Sequence, residues 1–182
     1  IAYTWANVPN EVYGMIPYTY IDGGDLSYTH KLKDATLNIN VFAGTSESVI
    51  STGFFTQSIE LNDIYGGAVT FDKYDWNIQW RYTRALIGNN DESVDFFVSQ
   101  ISQIPDFLWP NKQSIYDALR LDGQEVHYQS LSGQKYLRDW LVSFELTHTD
   151  SDSQAIAEST NGYVSVAYQQ NDHTWYGVLA QT

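Results

Sequence analysis

The sequence predicts an all-β fold: an antiparallel up-and-down (meander) β-barrel of about eight strands. A single domain over residues 1–182 would carry it, with a helical insert in the 88–121 connection. Three observations predict this. Apolar and polar residues alternate with a period of two through most of the chain, the pattern of strands with unlike faces. Short and long connections alternate in order, which an up-and-down arrangement sorts to opposite ends. Aromatic residues make up 15% of the chain, with 14 Tyr and 6 Trp. No apolar run approaches the ~20 residues of a transmembrane helix, so these aromatics belong to strands.

Residues 1–23 hold Asn7, Pro9, Asn10, Gly14, Pro17 and Gly23, a density of turn formers that reads as a long loop with extended pieces. Asp25 to Lys33 is the first strand, with Leu26, Tyr28, His30 and Leu32 on one face. Lys33 to Ala35 turns the chain. Thr36 to Gly44 returns it, with Leu37, Ile39, Val41 and Ala43 opposite Asn38 and Asn40, so the two strands form a hairpin. Thr45 to Leu61 is polar in composition and reads as a longer connection, with Phe54 and Phe55 inside it. Asp63 to Lys73 is the third strand, carrying Tyr65, Val69 and Phe71. Gly66-Gly67 within it marks a bend, or a place where something bulky packs close.

Tyr74-Asp75 turns into the clearest strand of the chain, which ends near Ile87. Trp76, Ile78, Trp80 and Tyr82 fall on one parity and Asn77, Gln79, Arg81 and Thr83 on the other. Gly88 to about Asp122 is the longest connection and is not strand-like. Asp91 can cap a helix with Glu92 in its first turn, and Val94, Phe97, Val98 and Ile101 follow at helical spacing. Pro105 and Pro110 end that piece, and Ser114 to Leu121 is a second short helix, with Ile115 and Leu119. Together they read as a compact lid. Glu125 to Leu131 is the fifth strand and Gly133 to Asp139 a turn. Trp140, Val142, Phe144 and Leu146 line the sixth strand. His148 to Ser159 is an acidic, polar connection. Gly162, Val164, Val166 and Tyr168 line the seventh strand, Gln170 to Asp172 turns, and His173 to Gln181 is the eighth. Strands of about nine to twelve residues match the ~9–11 that cross a bilayer at a tilt.

Composition excludes several function classes. With 9 basic and 22 acidic residues the net charge is -13, which repels nucleic acid. Cysteine is absent, removing disulfides, thiol catalysis and thiolate metal sites. The four histidines, His30, His127, His148 and His173, stand in separate segments without a zinc-protease spacing, and there is no nucleophile elbow or phosphate-binding loop. Glu60, Asp63 and Asp72 are the carboxylates from which a glycosidase pair would be drawn. Asp22-Gly23-Gly24-Asp25 and Asp150-Ser151-Asp152 are acidic segments that could hold calcium, but neither has the twelve-residue loop pattern. They read as solvated acidic loops. The expectation is a protein that is not an enzyme, with no catalytic residue, metal or cofactor.

A two-faced strand admits two solutions. A soluble sheet buries the apolar face and wets the polar one. A membrane barrel turns the apolar face to lipid and the polar face to a wet lumen. The strict alternation of connections favours the second, although soluble up-and-down barrels share it.

At Pro9-Asn10-Glu11-Val12-Tyr13-Gly14-Met15-Ile16-Pro17, followed by Tyr20-Ile21-Asp22-Gly23-Gly24-Asp25-Leu26-Ser27-Tyr28, the chain resembles a group of Gram-negative outer-membrane porin-like proteins. In these a Pro-x-Glu-Val-Tyr-Gly loop leads into an Asp-Gly-x-Asp-Leu-x-Tyr strand. The similarity continues through 37–44, 63–83 and 123–146. It implies a passive, water-filled diffusion pore in the outer membrane, built as an even-stranded antiparallel barrel that often forms a homotrimer. Its partners would be outer-membrane lipid and small hydrophilic solutes or ions. In such proteins this loop lies well inside the chain, so the resemblance implies a piece of a longer porin that lacks its first strands. Such barrels commonly end on an aromatic residue, whereas this chain ends Ala180-Gln181-Thr182.

On that reading the polar parity lines the pore. The residues expected there are Lys31, Asn38, Asn40, Asp72, Gln79, Arg81, His127, Gln129 and Glu145. Charges facing one another across a lumen sort solutes by charge and size. Arg81, between Trp80 and Tyr82, must point away from both. The alternative is a soluble all-β ligand-binding module, carbohydrate-binding through exposed Trp and Tyr. The 88–121 connection would be an external or inward-folded constriction loop in the first case. The two readings differ in which face is wet: Trp76, Ile78 and Trp80 are on the outside of a pore and in the core of a soluble sheet.

Overall fold

A computed structural model describes residues 20–51, 56–89, 92–105, 107–153 and 156–181. The expected loop over the first nineteen residues, Phe54, Phe55 and the Asp91 cap lie outside them, as do the side chains of Val94, Phe97 and Leu119. Eight strands form one antiparallel sheet in chain order: β1 (Asp22–Lys31), β2 (Thr36–Ser51), β3 (Thr56–Lys73), β4 (Trp76–Ile87), β5 (Glu125–Leu137), β6 (Trp140–Ser151), β7 (Ser159–Gln170) and β8 (His173–Gln181). The up-and-down order is therefore as the alternating pattern requires. Among the described residues the ladder runs from β1 to β8, and no pairing joins β8 back to β1.

The tight turns, 32–35, 74–75, 138–139 and 171–172, all lie at one end. The turn expected over 133–139 shrinks to two residues because β5 continues to Leu137, opposite Trp140. The polar connection expected over 45–61 is a larger departure. Most of it is strand: β2 and β3 stay paired from Ser46↔Leu61 to Ser51↔Thr56. Serine and threonine made this stretch resemble a loop, yet both tolerate strands, and backbone pairing with a neighbour overrides their weak preference.

A bulge separates the two halves of β3. Leu61 lies opposite Ser46 but Ile64 opposite Gly44, so β3 holds one residue more than β2 there. Asp63 takes φ 48, as one residue of a bulge can. The extra residue shifts the parity, so Leu61 and Ile64 both face the same side. They join Ala85 and Ile87 in a small apolar core at the long-loop end, against which Phe42, Val126, Leu121 and Ile156 pack. Leu121 and Ile156 come from the connections after β4 and β6, which therefore fold against this end of the sheet. Ile87 and Gly123 tie the first connection down through backbone hydrogen bonds, Gly123 N to Ile87 O at 2.9 Å and Ile87 N to Gln124 O at 3.0 Å. The Ser153 hydroxyl donates to Arg120 O at 3.0 Å and joins the two connections.

The insert contains α1 (Glu92–Ser102) and α2 (Lys112–Leu119), close to the two helices expected there. Lys112 Nζ donates to the Ile104 and Ser102 carbonyls at 2.6 and 3.3 Å, satisfying carbonyls at the C-terminal end of α1 with a cation. No helix among the described residues is long and apolar enough to cross a membrane.

Candidate functional site

Strand register sorts every side chain to one of two faces, since directly opposed residues share a face. Trp80 lies opposite Val69 and Leu131. Leu131 in turn lies opposite Leu146, and Phe144 opposite Val164. Following these pairs across the sheet gives one continuous apolar face, from Leu26 and Tyr28 on β1 to Trp175 and Leu179 on β8. The other face carries Asn38, Thr70, Gln79, Ser132 and Glu145, in that cross-strand order.

Exposure on the two faces is the reverse of a soluble sheet. On the apolar face Trp80 is 47% exposed, Leu146 52% and Val164 51%. On the polar face Thr147 is 2% exposed and Ser165 4%, with Ser130, Ser143, Glu145 and Asn161 also buried. The sheet is curled toward its polar side, and small hydroxyl side chains crowd into the concavity. Burying polar groups is tolerable only when they are hydrogen-bonded; Thr147 Oγ1 donates to Asn161 O at 3.3 Å, whereas Ser46 Oγ and Thr83 Oγ1 are buried without a partner among the described residues. Less buried side chains of the same face cross-link neighbouring strands. Thr29 Oγ1 donates to Asn38 Oδ1 at 2.8 Å, and Asn38 Nδ2 to Asp72 Oδ2 at 2.9 Å. Asn40 Nδ2 donates to Ser27 Oγ at 2.9 Å and Asp25 Oδ2 at 3.2 Å, and Gln79 Nε2 to Thr70 Oγ1 at 2.8 Å.

Seven of the expected lining residues lie on this concave face: Lys31, Asn38, Asn40, Asp72, Gln79, Arg81 and Glu145. His127 and Gln129 do not, because β5 pairs them with Arg84 and Tyr82 on the convex, apolar-bearing side. Both parities of 125–130 contain polar residues, so polarity alone assigns that strand to the wrong face. The register with Trp80 and Leu131 assigns Tyr128, Ser130 and Ser132 to the concave face instead.

His127 belongs to a different cluster at the long-loop margin of the convex face. Arg84 makes a two-pronged ion pair with Glu125, its Nε 2.7 Å from Oε2. His127 Nδ1 is 2.8 Å from the Tyr82 hydroxyl, and its Nε2 is 3.6 Å from Glu125. The guanidinium of Arg84 stands 5.1 Å above the Tyr65 ring, within cation–π range. At the tight-turn margin the convex face is aromatic: Phe71 packs on Trp76 at 5.3 Å, and Trp140 on Tyr168 at 4.7 Å. Between the margins, Trp140 to Leu146 spans about 20 Å along the strand.

The acidic segments do not converge. Asp25 faces the concave side and accepts from Asn40, while Asp22 is on the opposite parity. Glu60 and Asp72 are separated by twelve residues of β3, about 40 Å of strand. That is too far for a glycosidase pair.

No family model, curated protein or solved structure matches the chain. The likeness to porin-like proteins thus rests on the residues that carry it, and of these 9–17 lie outside the described residues.

Proposed function

We propose that this chain forms the wall of a porin-like channel in a Gram-negative outer membrane, through which small hydrophilic solutes or ions diffuse passively. One observation carries the reading. The apolar face, from Val41 through Trp80 and Leu146 to Val164, is the exposed one, and the polar face is the shielded one. In water such a surface would far exceed the apolar patches that soluble monomers leave open. Against lipid it is the favourable arrangement, with aromatic residues at the boundary and a polar interior. Lys31, Arg81, Asp25, Asp72 and Glu145 would then set the field along the solute path. Outer-membrane lipid is the partner of the convex face, and a homotrimer is the assembly that the porin resemblance implies. A carbohydrate-binding module would need the opposite burial, with Ile78 and Trp80 in its core.

Detergent-solubilised protein added to a planar lipid bilayer tests this. Stepwise conductance increases that depend on the protein are expected. A monodisperse, detergent-free monomer that leaves the bilayer silent would overturn the channel.

A further inference from the structure

Gly133 lies on the convex face, between Ile78 on β4 and Phe144 on β6. Glycine supplies no side chain there, and Trp76, Ile78, Lys135, Val142 and Phe144 wall a cleft of about 330 Å³ around the gap. Apart from the Lys135 ammonium, these side chains are apolar. The cleft belongs to the exposed face of the sheet, and Ile78 and Phe144 are themselves exposed. At its tight-turn end the row Lys73, Trp76, Lys135 crosses β3, β4 and β5.

The two lysines set the charge of this margin. β3 and β5 stand about 10 Å apart across β4, so two flexible side chains can converge on one anion beside Trp76. Lys73 is exposed, and no carboxylate among the described residues pairs with it. Lys135 Nζ is 3.9 Å from an Asp75 carboxylate oxygen, with both side chains half exposed, a pair that water screens strongly. At the long-loop margin of the same face Glu47 stands directly opposite Glu60. An anion is therefore favoured beside Trp76 and disfavoured beside Glu47. A second copy seated symmetrically on the cleft would bring the same two lysines face to face, whereas a lipid phosphate is attracted by both.

We propose that this cleft seats an anionic phospholipid, with one acyl chain against Ile78, Val142 and Phe144 and the phosphate held by Lys73 and Lys135. Trp76 stands between the two parts, as an aromatic at a water–lipid boundary does. The proposal rests on the channel reading above, because it needs the convex face in lipid. Protein folded into phosphatidylcholine vesicles tests it. Part of the lipid is replaced by phosphatidylglycerol or phosphatidylcholine with a brominated acyl chain, a contact quencher of tryptophan fluorescence. Subtracting the signal of Trp76→Phe isolates Trp76, and Trp175→Phe isolates Trp175, four strands away on the same face and margin. Conductance is recorded on the same vesicles.

For equal quenching, Trp76 is expected to need roughly fivefold more brominated phosphatidylcholine than brominated phosphatidylglycerol, the preference that one lysine confers near a bilayer surface. Lys73→Gln combined with Lys135→Gln is expected to bring the two curves together. Equal quenching of Trp76 by both lipids in the unaltered protein overturns the site and leaves the channel standing. So does a preference just as strong at Trp175, which would belong to the surface charge at large. If Trp175 is quenched and Trp76 by neither lipid, another polypeptide surface covers the cleft and the proposal falls. Vesicles that show no quenching at either tryptophan and no conductance overturn the channel reading as well.

Discussion

At Gly66 the sheet has no room for a side chain. It lies opposite Phe42 on β2 and Thr83 on β4, and a Cβ there would run into the backbone carbonyl oxygen of Tyr82 and stand 2.7 Å from the Phe42 ring. Gly66→Ala is expected to destabilise the fold by about 1–3 kcal/mol through overpacking, read as a lower urea midpoint in detergent micelles. An unchanged midpoint would mean that the β4 backbone at Tyr82 and the Phe42 ring both give way freely. On the channel reading Arg81 would bear on conduction rather than stability, since it is exposed on the concave face opposite Ala68 and Ser130. Arg81→Glu is expected to move the reversal potential in a salt gradient toward the cation value. A reversal potential that stays put would remove Arg81 from the solute path. The concave face was legible at single residues wherever a polar side chain stood between two aromatics, as Arg81 does. It was illegible at His127 and Gln129, because polar residues there occupy both parities and only the register decides.

Among the elements, β7 offers the cleanest contrast between lipid and water. Val164 and Ser165 are adjacent, one on each face. For a protein dissolved in water, Val164→Arg at an exposed site would change stability by no more than ~0.5 kcal/mol. Against a bilayer the same substitution is expected to cost about 2–4 kcal/mol near the midplane. Urea titration of folding into lipid vesicles measures the difference, and a neutral result would argue against lipid on this face. Element identity was largely readable, since a period of two is clear in β4 and β6. Element length was not. The paired extensions of β2 and β3 beyond the bulge are rich in serine and threonine, residues whose local preference is weak enough for backbone pairing to overrule. The two helices of the insert were legible because apolar spacing changes there from two to three and four.

The whole molecule departs from globular proteins in where it keeps its polar and apolar surface. Its apolar core is a small group around Leu61, Ile64, Ala85 and Ile87 at one end. Most of the large apolar side chains face outward. This inversion follows from alternation combined with the direction of curl. The alternation is written in the sequence, but the direction of curl is not, since either face could have become the concave one. Closure belongs to the same scale. Period and polarity give the same strands whether or not the sheet closes.

On the proposed channel reading, the placement of the tight turns has a consequence for how such a chain would enter a membrane. Four blunt hairpin tips, none longer than four residues, stand at one end. The other end bears two helices and the acidic connections after β4 and β6. Dragging the second set through hydrocarbon would strip water from many charges, while the tips present few. On the channel reading entry would therefore be vectorial: the hairpins would lead, the bulky end would be left on the side of arrival, and every molecule in the membrane would point the same way.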